Sequence, residues 1–451
     1  MERSPEKNFA GVSERTKQAE EVRARWAWTE PEVWTDRMLM SLETGVKGGK
    51  WYSLMDKVYR EETLLAGYRK VAANDGAAGV DHVSVKAYGG RIEAEIARLS
   101  EALQEQCYQA SAIRRCLIPK PGSRQKRPIG IPVVRDRVVQ SALRIVIEPI
   151  FERDFAAHSY GFRPGRGCKD ALREVDRLLR AGYLYVVDAD LKSYFDSIPH
   201  GLLIKQVEEK VSDGRVLDLI KQFLQQGVMD GMTRWTPEEG TPQGGVISPL
   251  LANIYLDPLD RQMAETGRQM VRYADDLVIL CRSTQEAEEA ERELEVWVRE
   301  AGLQLNREKT CVANLHERGK GFTFLGYTFK RTVRTGRLGR WPGKRSLEKL
   351  RGNVRQKTPR TSGKSLDETI DRVNRTLRGW FEYFKHADPS SFPELDRWIR
   401  MRLRSMLRKR HRKKGRGRGA DHQRWPNAYF TELGLFSLTT ACAEVRQSPP
   451  G

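Results

Sequence analysis

Two pairs of aspartates stand at the ends of apolar runs, and this feature constrains the fold of the chain more than any other. Residues 183–190 are rich in aromatic and β-branched residues, which predicts a strand ending at Asp188-Ala189-Asp190. Residues 270–282 carry two apolar arms around Ala274-Asp275-Asp276, which predicts a β-hairpin with acids at its tip. Adjacent acids at a tight turn repel one another unless a cation offsets their charge.

Clustered carboxylates are the ligands that hard divalent cations require. The alternative interpretation is that these aspartates form turns at strand ends, which is the commoner role of any single one. Two such sites in one basic chain favour a metal site.

The positive charge of the chain is concentrated in one segment. Of the net charge of +19 over 451 residues, the whole excess lies between Arg331 and Ala420, with 28 Lys and Arg against 8 Asp and Glu. Within it, residues 400–418 hold eleven Lys and Arg and no acid. This pattern predicts a nucleic-acid-binding face, with Arg400, Arg404 and Arg408 as RNA contacts. A solvated basic helix with a disordered tail is the alternative.

The remaining composition excludes several classes of protein. No apolar run approaches the ~18 residues that a membrane helix needs, and the first thirty residues lack the apolar core of a secretory signal. The 6 cysteines are scattered, with no C-x-x-C pair, which argues against a disulfide framework or a zinc module. We therefore expect a globular cytoplasmic protein without a membrane partner.

The predicted elements change in character along the chain. Residues 112–330 mix strands and helices, including a helix over 283–302 with a Ser-x-x-Glu cap and a short hairpin over 321–331. After residue 331 the period becomes helical, with Ser365 and Ser391 as predicted caps and a shorter helix near 347–354. This pattern predicts a three-helix bundle.

The acidic hairpin resembles a motif of a known family. Tyr273-Ala274-Asp275-Asp276 is similar to the Tyr-Ala-Asp-Asp box of reverse transcriptases, and the other boxes occur in family order from about residue 52 to 440. The whole set resembles bacterial group II intron reverse transcriptases. Its further members are residues 158–166 (HSYGFRPGR), 190–198 (DLKSYFDSI), 240–250 (GTPQGGVISPL), 302–310, 324–326 (FLG), 377–384 (LRGWFEYF), 424–430 and 434–438.

The resemblance implies an α+β fold, a right-hand polymerase with fingers and an antiparallel palm sheet, followed by an α-helical thumb or maturase bundle. It implies the following division of the chain. Residues 1–51 have an open role, 52–111 form an N-terminal extension and the start of the fingers, 112–330 the fingers and palm, 331–410 the thumb, and 411–451 a DNA-binding region.

The resemblance also implies the catalytic metal site. Asp190, Asp275 and Asp276 would hold two Mg²⁺ ions, and the carbonyl of Leu191 would add a ligand. Asp188 is interpreted as structural, and Asp196 as the cap of a turn.

The nucleotide-binding residues follow from the same motifs. Lys120 and Arg127 lie seven residues apart across a Pro-Gly loop and suit a triphosphate, with Arg124 and Lys126 as competitors. A merely solvated basic loop is the alternative.

Four further residues complete the predicted nucleotide site. Phe195 would exclude a ribose 2′-hydroxyl, giving preference for dNTPs, unless it is a core aromatic. Gln243 would contact the nucleotide, and Gly244 would let the backbone approach it closely. Lys309 would supply charge or a proton to pyrophosphate, or else is a surface lysine.

The implied partners are group II intron RNA, the target DNA with its primer strand, and dNTPs. Arg163 and Arg166 are predicted to contact template phosphate. The predicted activity is target-primed reverse transcription together with maturase assistance to splicing. A splicing-only RNA-binding maturase and a host-co-opted reverse transcriptase are the alternatives. Because the only late cysteine is Cys442, second-strand cleavage by a Cys-ligated endonuclease is not expected. The sequence does not indicate an oligomeric state.

Overall fold

The computed structural model describes residues 14–119, 126–231, 233–361, 363–413, 415 and 417–447. They fold into two compact units. The first comprises the described residues of 1–118, 126–183 and 189–311, and the second those of 119–125, 184–188 and 312–451. None of the described helices is long and apolar enough to cross a bilayer.

Helices predominate in the first unit, with strands between them. Its helices are α1 (Glu14–Arg25), α2 (Asp36–Thr44), α3 (Met55–Val58), α4 (Glu61–Asn74), α5 (Val85–Gly89), α6 (Ile92–Gln104), α7 (Val134–Glu152), α8 (Cys168–Arg180), α9 (His200–Glu208), α10 (Gly214–Leu224), α11 (Ser248–Glu265) and α12 (Thr284–Glu300). The strands found up to residue 314 are β1 (Ile113–Pro119), β2 (Lys126–Ile131), β3 (Tyr185–Asp190), β4 (Val228–Asp230), β5 (Thr233–Trp235), β6 (Gln269–Tyr273), β7 (Asp276–Cys281) and β8 (Cys311–Asn314).

The second unit combines a small sheet with a helical bundle. Its further elements are β9 (Gly321–Phe324), β10 (Tyr327–Arg331), β11 (Leu338–Pro342), α13 (Lys344–Lys357), α14 (Leu366–Phe384), α15 (Phe392–Arg410), α16 (Ala420–Arg424), α17 (Asn427–Glu432) and α18 (Leu438–Gln447).

Three sheets have the strand orders β2-β1-β4-β5, β6-β7-β3-β8 and β11-β10-β9. The hairpin β6–β7 is antiparallel, with Tyr273 opposite Asp276, and its turn lies between the two apolar arms as the sequence predicts. The third sheet contains β11, which the sequence analysis missed, and it pairs with β10 through five residues from Tyr327↔Pro342 to Arg331↔Leu338. The predicted α+β fold is confirmed.

Predicted helix caps explain where two helices begin. The hydroxyl of Ser283 accepts a hydrogen bond from the backbone N–H of Glu286 (3.1 Å), and that of Ser365 accepts one from Glu368 (3.0 Å). Such bonds satisfy N–H groups that have no partner inside the helix. At Ser391, by contrast, α15 begins without a side-chain cap bond.

The core of the first unit surrounds α7, whose residues are almost all buried. Trp34 is fully buried and donates its indole N–H to the carbonyl of Ile145 in α7 (3.0 Å). The N-terminal segment, whose role the sequence left open, therefore contributes to this core.

The C-terminal segment packs on helices α14 and α15 of the second unit. Asp396 of α15, only 4% exposed, accepts hydrogen bonds from the backbone N–H groups of Leu438 and Thr439, each at 3.0 Å. Asn374 of α14 donates to the carbonyl of Gly434 (2.8 Å) and accepts from the N–H of Phe436 (2.8 Å). Residues 417–447, for which DNA binding was predicted, are thus held by buried polar side chains; DNA binding itself stays a prediction.

Candidate active site

The acidic hairpin turns sharply between β6 and β7. Ala274 has φ of +59°, a left-handed conformation that costs a non-glycine residue roughly 1–2 kcal/mol. Arg272 compensates by donating a hydrogen bond to the carbonyl of Ala274 (2.9 Å). This hydrogen bond therefore stabilises the turn that presents Asp275 and Asp276.

Arg272 is fully buried and belongs to a network that the sequence analysis missed. Its guanidinium forms a bidentate ion pair with buried Asp260 of α11 and donates to the side-chain carbonyl of Asn253 (3.0 Å). The amide of Asn253 in turn donates to the carbonyl of Gly161 (2.8 Å). The sequence did hold a signal for this network, namely a lone arginine in the apolar run of β6. Such a charge is buried only when it is paired, so it indicated a buried acidic partner.

Residues 158–162 pack directly against the acidic turn. A Cβ at Gly161 would stand 2.3 Å from the backbone nitrogen of Ala274, so only glycine fits there. Phe162 follows with φ of +60°, and its ring lies 6.4 Å from the rings of both Phe195 and Tyr273. The loop thereby joins the acidic turn to the predicted 2′-hydroxyl gate.

Asp190 ends β3, and residues far along the chain engage its carboxylate. Lys309 places its Nζ 2.9 and 2.7 Å from the two carboxylate oxygens, and Asn306 donates its amide to Oδ2 (3.0 Å). The backbone N–H of Asn306 also donates to the carbonyl of Asp190 (2.8 Å). The neighbouring Leu191 is buried in a bridge with Leu305. Lys309 is therefore an ion-pair partner of a predicted metal ligand.

The three aspartates influence one another electrostatically. The pKa of Asp276 is raised to about 6, first by desolvation and then by the charges of Asp275 and Asp190, while the charge of Lys309 opposes the rise. Desolvation also raises the pKa of Asp275, an effect that Asp190 increases and that Arg127 and Lys309 reduce. The hairpin tip and the end of β3 thus concentrate negative charge in one place.

This donor set suits a hard divalent cation in chemistry, since its side-chain ligands are carboxylate oxygens and the repulsion between them calls for added positive charge. The ammonium of Lys309 already supplies such charge at Asp190. Among the described residues, no three His, Cys, Asp or Glu side chains are arranged as a ready metal-binding group.

The raised pKa of Asp276 predicts a pH-dependent cost to stability. Its folded-state pKa of about 6 lies above its ordinary value of 3.8, so the cost grows as pH rises through this interval and is complete above it. We expect Asp276→Asn to stabilise the metal-free protein at pH 8 by about 1 kcal/mol, allowing for solvent screening. The gain should vanish near pH 4. Thermal unfolding in EDTA at both pH values measures it, and an equal effect at both would contradict the assignment.

Two predicted nucleotide-binding residues contact each other. The Nε–H of Arg127 in β2 donates to Oε1 of Gln243 (2.8 Å), and Gln243 donates from Nε2 to Oδ2 of Asp196 (3.1 Å). Gly244 has φ of +116°, and a Cβ there would stand 2.2 Å from the carbonyl oxygen of Gly130. Lys120 and Arg124 lie outside the described residues.

Phe195 is 9% exposed and follows Tyr194, which is fully buried with its hydroxyl bonded to the carbonyl of Ala252 (2.5 Å). The two rings pack edge to face at 5.5 Å. Both rings thus belong to the buried core, Tyr194 more completely than Phe195, and the gate role of Phe195 stays a prediction.

Arg163 is a structural residue, which corrects its assignment to template phosphate. It is buried, forms a bidentate pair with Glu152 (2.9 and 2.7 Å), and donates to the carbonyls of Ala156 (2.6 Å) and Ser159 (2.9 Å). These partners leave no donor for an external phosphate. Full pairing is expected here, because a charge this close to the core is retained only when its hydrogen bonds are satisfied. Arg166 is half-buried and donates to the carbonyl of Ala157; its contact with template stays a prediction.

Arg404 requires the same correction. It is 3% exposed, donates to the carbonyl of Trp425 (2.9 Å) and to the side chain of Asn427 (2.8 Å), and lies over the ring of Phe430. The helical periodicity of α15 turns this position inward, which the run of positive charge concealed. Arg408 pairs with Asp421 (2.5 Å), and Arg400 is half-buried.

Two family profiles match consecutive parts of the chain. Residues 118–329 match "Reverse transcriptase (RNA-dependent DNA polymerase)", and residues 347–425 match "Group II intron, maturase-specific domain". The first of these matches contains all the predicted metal ligands. The chain belongs to the group II intron reverse transcriptase/maturase family, a class of RNA-directed DNA polymerases with roles in intron splicing and mobility.

Individual relatives support this membership. Protein YkfC of Escherichia coli is 34% identical over 346 residues, covering 67% of this chain and 85% of that protein. The group II intron-encoded protein LtrA of Lactococcus lactis is 37% identical over 202 residues, covering 45% of this chain and 33% of LtrA. An uncharacterised 91 kDa protein in a cob intron of Schizosaccharomyces pombe is 37% identical over 206 residues, covering 46% of this chain and 25% of that protein. The alignments thus span most of YkfC but a third or less of the other two.

Proposed function

We propose that the chain acts in the cytoplasm, copies group II intron RNA into DNA by target-primed reverse transcription, and binds the same RNA as a maturase. The observation that carries this proposal is the convergence of negative charge from two motifs, Asp190 on β3 and Asp275-Asp276 on the β6–β7 turn. It occurs in a chain that matches both a reverse transcriptase and a maturase profile.

In this proposal Asp190, Asp275 and Asp276, with the carbonyl of Leu191, hold two Mg²⁺ ions. When bound, the ions activate the primer 3′-hydroxyl and stabilise the leaving pyrophosphate. Lys309, freed from Asp190, then provides a positive charge beside the site. Its side chain is 53% exposed, so it can reach an anion without leaving a buried position.

The substrate side of the site is built from the fingers strand β2 and the loop that carries Gln243. The bond from the N–H of Gly130 to the carbonyl of Gln243 (2.7 Å) fixes these two segments to each other. Arg127 offers a fork of donors suited to phosphate oxygens. Phe195, beside Phe162, would reject a 2′-hydroxyl by steric exclusion.

The RNA-binding surface in this proposal is centred on α13 rather than on buried Arg404. Lys344, Arg345, Lys349 and Arg355 of that helix all reach solvent, and Glu348 is the one acid in it. Solvent-facing cations along one helix can neutralise successive phosphates without breaking internal ion pairs.

Primer extension tests the polymerase part of the proposal. With a long RNA template, an annealed DNA primer, dNTPs and Mg²⁺, we expect full-length cDNA, and none when EDTA replaces Mg²⁺. Tight RNA binding without cDNA synthesis would instead identify a maturase that acts only in splicing.

The variant K344Q/R345Q/K349Q tests the RNA-binding surface. We expect weaker binding of a labelled single-stranded RNA and a salt dependence of log K that is shallower by ~0.7 for each phosphate that the variant no longer neutralises. The matched control K205Q/R292Q/R299Q removes three cations from the first unit and should leave the slope unchanged. Equal slopes for both variants would exclude α13 as the RNA-binding surface.

A further inference from the structure

We propose that Asp196 is a positioning residue for the incoming nucleotide, because its carboxylate fixes the side-chain amide of Gln243 in a single orientation. The inference rests on the proposed contact between Gln243 and the nucleotide. It revises the interpretation of Asp196 as the cap of a turn, since its Oδ2 accepts from Gln243, 47 residues away.

The chemistry of the two neighbours determines which way the amide points. Arg127 can only donate, and an ionised Asp196 can only accept. The contacts of 2.8 Å to Oε1 and 3.1 Å from Nε2 satisfy both. A reversed amide would place NH₂ against the guanidinium and a carbonyl against the carboxylate, so both bonds would become repulsive. Asp196 and Arg127 together therefore select one of two amide orientations that are otherwise similar in shape.

Backbone contacts hold Asp196 and Gln243 in register. The N–H of Thr241 donates to the carbonyl of Phe195 (2.6 Å), and the N–H of Gly240 donates to that of Ile198 (2.8 Å). Gly240, with φ of +88°, lies so close to Asp196 that a Cβ would stand 2.8 Å from the Asp196 carbonyl carbon. Because the backbone already holds the two side chains close together, forming their hydrogen bond costs less conformational entropy.

The charge of Asp196 is otherwise unfavourable at this position. A carboxylate beside Arg127 weakens the attraction of that arginine for a triphosphate. A site that only had to attract phosphate would gain from a neutral residue there. Among the residues that the structure describes, the carboxylate accepts a hydrogen bond from the amide of Gln243, which accounts for an acid on the substrate side of the site.

Single-nucleotide incorporation measures this role. With oligo(dT) on poly(rA), Asp196→Ala should raise KM for dTTP about tenfold, the worth of one to two hydrogen bonds, and change kcat less than threefold. Asp196→Asn keeps an acceptor oxygen and should recover most of the loss. The matched control Asp230→Asn alters an exposed carboxylate that pairs with Arg115 (3.0 Å), and it should leave KM unchanged.

A double-mutant cycle tests the positioning role of Asp196 separately from the proposed contact between Gln243 and the nucleotide. Gln243→Ala should raise KM by a similar factor, and adding Asp196→Ala to it should cost less than a further twofold. If Gln243→Ala has no effect, the nucleotide contact of Gln243 is wrong. If Gln243→Ala raises KM while Asp196→Ala does not, or if the effect of Asp196→Ala persists without Gln243, the positioning role is overturned and the polymerase assignment stands. A lowered melting temperature with no rescue by Asn would likewise overturn it, in favour of a structural role.

Discussion

Replacing Asp275 and Asp276 together by asparagine is expected to reduce cDNA synthesis by roughly 10³-fold or more, while RNA affinity stays within about twofold. Asparagine keeps the shape of each side chain but removes the negative charge that a hard cation requires. The loss of charge should not unfold the hairpin, because Arg272 holds the Ala274 carbonyl and Asp260 neutralises Arg272. Primer extension and RNA binding, measured on the same preparation, give both values.

The control for this variant is E288Q/E300Q, which removes two exposed acids from α12. It should extend primers at the wild-type rate. Undiminished synthesis by the Asp275/Asp276 variant would refute the metal assignment. Loss of RNA binding together with synthesis would show that the hairpin charges matter for folding instead.

Gly244→Ala is expected to lower nucleotide incorporation by about 100-fold. The added Cβ would meet the carbonyl oxygen of Gly130 at 2.2 Å and Cγ2 of Ile129 at 3.1 Å, so the loop must move away from β2. That movement breaks the bond between the N–H of Gly130 and the carbonyl of Gln243, and it carries Gln243 out of reach of Arg127. A displacement of about 1 Å at a substrate-positioning residue can cost this much in rate.

Gly267→Ala is the matched control for the backbone strain. Gly267 also has a positive φ, +75°, but a Cβ there meets nothing within 4 Å. We expect this variant to lose ~1 kcal/mol of stability and to keep its activity. If both alanine variants lose activity equally, the effect comes from left-handed strain and not from the contact with β2.

The features that sequence predicted well are those determined by neighbours along the chain. The caps at Ser283 and Ser365 and the hairpin around Asp275 all depend on residues a few positions apart. Strand β11 was missed because Leu-Gly-Arg-Trp-Pro has a glycine and a proline and no alternation, and only pairing with β10 makes it a strand.

Long-range partners account for the other differences. The sequence around Arg163 predicts a phosphate contact, whereas in the structure Glu152 and nearby carbonyls accept its hydrogen bonds. Lys309 could be an isolated surface lysine by sequence, yet it meets Asp190 across 119 residues. Charge is visible in a sequence, whereas the buried partner that neutralises it depends on the tertiary fold.

The docking of the C-terminal segment limits how this chain can be dissected. Removing residues 417–447 would expose the Asp396 carboxylate, the Asn374 amide and the Arg404 guanidinium on α14 and α15, each stripped of its partners. Each lost hydrogen bond removes about 0.5–1.5 kcal/mol of net stabilisation, so such a truncation would loosen the helices that carry these side chains. The segment therefore cannot be exchanged freely for another. A chimera that replaces it must supply hydrogen-bonding groups for all three side chains.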